Sequence, residues 1–322
     1  MINIIGTFSA IWLVLWVLLS VLFVLIYPLV RPLLFRLHPR YGSALLLFYW
    51  TVPFLASVSS TLILFMPTVE SVLVAAHCHN ECLEHAPIIH SDGLAWFGVV
   101  IGSIAFVLLS AQFLLTMRRS VQLHRQFNSL GRPLGEYYAI KSQCPLVFTL
   151  GWWNPSIYVS DGLAQGCDER DLSIILLHEQ AHQERRDNLR LLLARLCSAI
   201  LSQNLARQMM TDLQLMTEEA CDFRAAEKFG HIAVAETLIK VKRLLMAHPS
   251  PLPMGVLGFA EREVETRIMA LLNAASRVSP KPWQLLLLGA SILLALLLLV
   301  SPLHHGSEWV ITFLAADVPH LH

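Results

Sequence analysis

Two histidines and a glutamate in the stretch Ser173-Ile-Ile-Leu-Leu-His178-Glu179-Gln-Ala-His182 have the types and spacing for metal-assisted hydrolysis. The run reads as helix. Residues four apart on a helix share one face, so His178 and His182 can offer two imidazole nitrogens to one metal ion. Glu179, beside the first of them, can reach a metal-bound water rather than the metal. Two nitrogens, one further ligand and one open position describe a catalytic zinc site. The bland alternative is a helix that carries two surface histidines by chance. Ile174, Ile175, Leu176 and Leu177 argue against it. They run straight into the motif, which predicts a buried helix, and a buried His-Glu-His cluster needs partners.

A third ligand is expected on a downstream helix, in Thr217-Glu218-Glu219-Ala220-Cys221-Asp222. Glu218 and Asp222 are four apart and share a face. Glu218 is the candidate ligand, and Asp222 can accept a hydrogen bond from a ligand histidine. Glu219, about a quarter-turn away on the helix, is the fallback ligand. Alone, this segment would read as an acidic, solvated helix start; the upstream motif gives it a task. Cys221 is three residues from Glu218, awkward for the same ion, and reads as a small packed residue.

These helices need a frame, and the composition says what kind. Hydrophobic residues make up 55% of the chain and charged residues only 14%, with mean hydropathy +0.58. Residues 1–30 carry no charge, and most charges lie between Arg118 and Lys281. A soluble domain flanked by apolar spans follows. Four spans are expected, at about Phe8–Val30, Ser43–Met66, Gly93–Met117 and Trp283–Val300, each near the ~20 apolar residues a bilayer demands. The first is not read as a cleaved leader, since Lys and Arg are missing from its start and its apolar run is too long. Basic residues set the orientation. Arg31, Arg36 and Arg40 follow the first span; Arg118 and Arg119 follow the third; Arg277 and Lys281 precede the fourth. The loop after the second span has Glu70, Glu81, Glu84 and Asp92 and no Lys or Arg. Both termini are therefore expected outside and the histidine-bearing domain in the cytoplasm.

Within that domain the pattern predicts a helix over Val121–Ser129 and strands at Tyr138–Ile140, Leu146–Leu150 and Ile157–Val159. A largely helical run over Leu172–Leu201 is interrupted near Arg186–Asn188. Further helices are expected at Leu205–Phe229, Val234–Met246 and Glu261–Ala274, with Gly230 a C-cap. Strand residues Ile157, Tyr158 and Val159 could hold an extended peptide by β-addition. His231, just past the third-ligand helix, is a candidate oxyanion partner. Net charge is +0 with basic and acidic residues intermixed, so direct nucleic-acid binding has no electrostatic footprint.

His178-Glu179-x-x-His182 with Arg185-Arg186-Asp187, then Glu218-x-Ala220-Cys221-Asp222, resembles the BlaR/MecR family of membrane metallopeptidases. These are gluzincins related to the HtpX and Ste24 proteases. Gly151-Trp-Trp-Asn-Pro155-Ser-Ile-Tyr-Val-Ser160 and Phe259-Ala-Glu-Arg-Glu-Val-Glu-Thr-Arg267-Ile268 resemble its segments on either side, so the likeness covers about residues 1–302. It implies an α-helical membrane protein of four spans, with an α+β gluzincin-type zinc metallopeptidase domain between spans three and four. The divisions are 1–117 (three spans with an external loop, 68–92), 118–282 (the zinc domain), 283–302 (the fourth span) and 303–322 (an external tail). The resemblance further implies Zn2+ on His178, His182 and Glu218, Glu179 as general base, and Asp187 beside Asp222 as support for the ligands. The setting would be a bacterial inner membrane, and the substrate a peptide or protein such as a BlaI/MecI-like repressor, or the chain itself; a homodimer is left open. The family's antibiotic receptors carry a large external penicillin-binding domain after the last span. About twenty residues follow it here, so sensing of β-lactams by such a domain is not expected.

The external segments hold a second constellation. His77, Cys78, His79, Cys82 and His85 cluster in the loop, with His90 beyond, and His304, His305, His320 and His322 lie in the tail. Thiolate with imidazole suits copper or zinc; a Cys78–Cys82 disulfide or a solvated loop are the plainer readings. Three functions compete: a signalling protease with an external stimulus, an HtpX-like quality-control protease, and a non-catalytic metal-binding membrane protein. The last is weakened because the spans carry almost no polar ligands.

Overall fold

The computed structural model describes residues 1–66, 92–247 and 261–316. The chain divides into two compact units. One holds Met1–Pro28, Tyr49–Ala111 and Pro280–His322; the other holds Leu29–Phe48 and Gln112–Ser279. Among the described residues the molecule is mostly helical, with one small mixed sheet.

The apolar unit takes in the larger part of helices α1 (Ile2–Arg36), α2 (Pro39–Leu64) and α3 (Asp92–Leu130), each long and apolar enough to cross a membrane; the ends of the three helices belong to the other unit. Side chains such as Leu25, Phe106 and Leu108 are exposed, the pattern of a surface that meets lipid. Hydroxyls within these helices satisfy themselves on the preceding turn, as Thr61 does on the Ser57 carbonyl at 2.7 Å. Gly6 and Gly98 let α1 and α3 approach backbone to backbone; a Cβ at either would strike the other helix. Trp12 and Trp16 stack, and both meet Phe54 edge-on. The last helix, α10, runs unbroken over Pro282–Ala316, so the segment expected as a tail from residue 303 begins as helix; its apolar stretch Pro282–Ile292 is shorter than the three above. The expected third span and the helix at Val121–Ser129 are one element, α3, because nothing between Met117 and Val121 breaks a helix.

The second unit carries the charges. Its sheet has four strands: β1 (Gly131–Leu134), β2 (Tyr137–Ile140), β3 (Val147–Leu150) and β4 (Ser156–Ser160), in the order β1-β2-β4-β3. β2 and β4 are parallel; the outer pairs are antiparallel. β1 escapes the pattern reading because Gly-Arg-Pro-Leu has no alternation, and it forms because Gly135, at φ +65°, turns the chain back on itself. One face stacks aromatics: Tyr158 lies against Tyr138, Phe148 and Phe127 and donates to Asn128 Oδ1 at 2.5 Å. The other face buries Ile157 and Val159 with Leu163, Ile175 and Val241.

Six helices follow: α4 (Asp161–Gly166), α5 (Glu169–Arg185), α6 (Asp187–Cys197), α7 (Gln203–Phe229), α8 (His231–Ala247) and α9 (Glu261–Leu272); α4, α5 and α8 cover that second face, and α7 and α9 pack on them. Ser160 caps α4 and Asp168 caps α5, each accepting from a backbone N–H three residues on. Ile174 of α5, Phe223, Ala225 and Ala226 of α7, Val234 and Leu238 of α8, and Leu271 of α9 form the core on which the site rests. The break between α5 and α6 falls at Arg186, whose φ of 52° is left-handed. For a residue other than glycine this costs about 1–2 kcal/mol. The bend brings Asp187 back beneath the last turn of α5.

Candidate metal centre

α5 and α7 pack side by side and set three side chains against one another. His178 Nε2 and His182 Nε2 are 3.1 Å apart. Glu218 reaches across from α7, with Oε2 at 3.3 Å from His178 Nε2 and Oε1 at 3.5 Å from His182 Nε2. Both rings are fixed from behind. His178 Nδ1 is 2.9 Å from Asp222 Oδ1, and His182 Nδ1 is 2.9 Å from Asp187 Oδ2. An ionised carboxylate only accepts, so each Nδ1 carries the hydrogen and each Nε2 turns its lone pair to the centre. Two facing lone pairs and a carboxylate repel unless a cation lies among them. The donor set therefore fits a metal ion such as zinc, with two imidazoles, one carboxylate and outer-shell support for both rings.

The supports are themselves held. Arg267, on α9 and 1% exposed, donates to Asp222 through Nε and Nη2, both at 2.7 Å. Its Nη1 lies 3.1 Å from Glu218 Oε2, although that buried oxygen accepts no hydrogen bond of good direction. The separation makes an ion pair and the angle does not make a hydrogen bond, so the oxygen keeps a lone pair for another partner. Asp187 receives Arg190 at 2.7 Å and Arg185 at 3.3 Å. Arg185 Nη2 in turn donates to Ser43 Oγ at 2.8 Å.

Charge balance follows from these contacts. Burial pushes His178 down, but the Asp222 and Glu218 carboxylates outweigh it and the ring stands above its ordinary pKa. Burial likewise opposes His182, and the Glu218 carboxylate and the hydrogen bond to Asp187 carry it well above. Burial would raise Glu218, yet His182 and Arg267 hold it well below the usual carboxylate range. The centre thus prefers positive charge opposite a carboxylate anion, which protons supply when no metal does.

Glu179, 3% exposed, turns toward the sheet. Thr149 of β3 donates to its Oε2 at 2.6 Å. Beside His178 and Glu179 lies a cavity of about 30 Å³, otherwise lined by apolar residues such as Val147, Ile175 and Val234, with Asp222 and Arg267 at its wall. That is room for a water molecule.

The structure thus gathers His178, His182, Glu218, Asp222, Asp187 and Glu179 in one place. Three other expectations are corrected or redirected. His231 begins α8, and its ring lies edge-on to Phe223 at 5.5 Å; among the described residues that ring contact is with α7's core face and not with His178, His182, Glu218 or Glu179. Ile157, Tyr158 and Val159 cannot receive a peptide, because β4 is paired on both sides, by β2 and by β3. The outer strands are β1 and β3, and of the two β3 is the one that touches Glu179. Glu219 is no fallback ligand: it turns to Arg277 at 2.8 Å, and burial pushes it up to about 7. His77, Cys78, His79, Cys82 and His85 lie outside the described residues.

Cys221 is buried, with Sγ 3.7 Å from Asp187 Oδ2, and its sulfur lies within 4.8 Å of ring nitrogens of both histidines. Burial pushes its thiol up to about 11, so it is neutral near pH 7. Its contact is with Asp187, behind His182, whereas Glu218 sits between the two Nε2 atoms. Glu218→Gln should therefore lower bound zinc, and Cys221→Ser should leave it unchanged, by elemental analysis of the purified chain. Zinc lost from Cys221→Ser and kept by Glu218→Gln would reassign the third ligand.

Sequence reasoning passed over Thr149, Asn188 and the role of Arg267. Arg267 was visible only as part of a motif, and no local pattern tells which helix its guanidinium will meet.

A model of the family described as BlaR1 peptidase M56 matches residues 7–271. The chain belongs to the M56 peptidase family. No curated protein and no solved structure matches it. M56 peptidases are metallopeptidases, and the M56 assignment covers both the apolar helices and the paired motifs of α5 and α7.

Proposed function

We propose that the chain is an integral-membrane zinc metalloendopeptidase with its active site at His178, His182, Glu218 and Glu179. The observation that carries this is the convergence of two Nε2 atoms and one carboxylate, backed by Asp222 and Asp187, with a buried glutamate alongside. Zinc bound there would supply Lewis-acid polarisation of the scissile carbonyl and a more acidic water. Glu179 takes the proton of the attacking water and returns it to the leaving amine. Asp222 and Asp187 keep the two rings in the tautomer that turns Nε2 inward. An extended peptide adds to the outer edge of β3, which adjoins Glu179 through Thr149. His182→Ala should lower the zinc content of the purified full-length chain from about one per chain to near none, the loss of one of its few ligands. Unchanged zinc would remove the site.

The chain is a signalling protease that crosses the membrane four times and cuts a cytoplasmic BlaI/MecI-like repressor, itself, or both. Membership of the M56 family supports this, as does the tie between the last turns of α1 and the metal helices. Arg31 donates twice to Asp212 of α7, at 2.7 and 2.8 Å, and Arg277 bridges Glu219 and the Phe35 carbonyl. Cutting a repressor at one bond, with labelled casein left whole, is the expected result in detergent; broad degradation of casein would favour a quality-control role. Copper or zinc bound by His77, Cys78, His79, Cys82 and His85 is the proposed external stimulus. Cleavage in cells that is equal with and without added metal, and equal in a Cys78→Ser, Cys82→Ser variant, would dismiss it.

Topology follows from the basic flanks. Reporter fusions at about residue 80 and at the C-terminus should read as external, and fusions at about residues 38 and 165 as cytoplasmic. A cytoplasmic signal at residue 80 would invert the arrangement.

A further inference from the structure

Thr149 is the second residue from the end of β3, an ordinary position for a β-branched side chain. Its neighbours make it more than that. Antiparallel strands pair through alternate residues. Leu146 faces β4, since its carbonyl accepts from Ser160 N at 2.9 Å; the backbone groups of Val147 and Thr149 therefore turn to the outer edge. Side chains alternate as well. Phe148 stacks on Tyr158 on the aromatic face, while Val147 and Thr149 point to the helices. So one residue has its backbone on the outer edge of the sheet, where its carbonyl meets Asn188, and its hydroxyl on the Glu179 carboxylate.

The hydroxyl bond is short and specific. Thr149 Oγ1 lies 2.6 Å from Glu179 Oε2 and 3.3 Å from the Glu179 carbonyl oxygen. The strand is also bolted down. Asn188 of α6 donates through Nδ2 to the Thr149 carbonyl at 2.9 Å and to the Gly151 carbonyl at 3.2 Å. Gln183 of α5 donates to the Pro155 carbonyl at 2.5 Å. α6 thus holds the end of β3, and α5 the chain just before β4, on the side that bears the centre. A carboxylate on a two-carbon stem has several rotamers, and one donor at a fixed place selects among them.

We propose that Thr149 is a positioning residue for the general base: its hydroxyl occupies Oε2 of Glu179 and leaves the other oxygen to receive the proton of water. Asn188 serves the same end by fixing the strand from which the hydroxyl projects. This rests on the peptidase reading given above.

The test uses the full-length zinc-loaded chain in detergent, with the repressor as substrate and a peptide hydroxamate as a binding probe. The hydroxamate shares a proton with the base, so its affinity reports on Glu179 without turnover. Thr149→Val keeps shape and removes the donor. It should lower kcat by about 10–100-fold, the scale of a misplaced reacting group, with KM, zinc content and unfolding midpoint unchanged and hydroxamate affinity reduced. Thr149→Ser should restore most of the rate. In a Glu179→Gln background Thr149→Val should add nothing, because the two act as one unit. Wild-type kcat and hydroxamate affinity in Thr149→Val, with Glu179→Gln inactive, would overturn the role of Thr149 alone. So would an equal further loss in the double variant. Full activity in Glu179→Gln, or neither cleavage nor hydroxamate binding by the unsubstituted chain, would overturn the peptidase reading instead.

Discussion

Glu179→Gln is expected to reduce peptide cleavage by about 10²–10⁴-fold, the range associated with a general base, while the chain stays folded and keeps its zinc. The argument for so large an effect is geometric. Glu179 follows His178 directly on α5, so it is tied to the centre by one peptide unit and cannot drift from it. It is buried, which excludes bulk water from competing as a base. It borders the cavity that has room for a water. Glutamine has the same shape and can still accept from Thr149, so the fold loses little; what it cannot do is take a proton. Glu179→Ala should lose as much rate and also open a hole beside Thr149, making it the poorer control. Cleavage of the repressor by Glu179→Gln at near the unsubstituted rate would end the mechanism. Zinc loss in the same variant would make Glu179 a ligand and not a base.

The largest stability effect is expected at Arg267. Arg267→Ala should destabilise the second unit by about 3–5 kcal/mol, the cost of removing one partner from a buried ion pair. The guanidinium holds two carboxylates at once, Asp222 through two hydrogen bonds and Glu218 through Nη1. With it gone, both acids remain buried, and Asp222 can no longer be kept ionised for His178. Asp222 lies below the ordinary carboxylate range because Arg267 outweighs its burial. Arg267→Lys should recover part of the loss, since an ammonium supplies charge without the two-pronged fit. A double variant, Arg267→Met with Asp222→Asn, should lose less than the two single changes together, because no unpaired charge is left. Chemical denaturation of the detergent-solubilised chain gives the comparison. A loss below about 1 kcal/mol, the value of an exposed pair, would show that the cluster does not hold the unit together.

The sequence alone determines the helices and their contents. An apolar run followed by His178, Glu179 and His182 admits one arrangement, since the helical repeat puts His178 and His182 on one face whatever the surroundings. The same repeat pairs Glu218 with Asp222. The apolar lengths of α1, α2 and α3 are legible for the same reason: each is a local property. Even the break at Arg186 shows in the run of charge from Glu184 to Asp187, although its left-handed backbone does not.

What only the tertiary structure decides is which distant residues meet. Strand order is the plain example. Ile157–Val159 is the strongest strand pattern near the motif, yet β4 is the inner strand and β3 the edge, because β3 inserts after β2 and pairs on the far side of β4. Alternation along a strand reports its faces and says nothing of its neighbours. His231 lies close to the ligand helix in sequence, yet the turn into α8 sets its ring on Phe223 and not on the centre. Arg267, separated from Asp222 by 45 residues, comes back to it because α9 shares a core with α7 and α8. Local periodicity sets each side chain's face; packing of the faces sets its partner, and here the partners make the site.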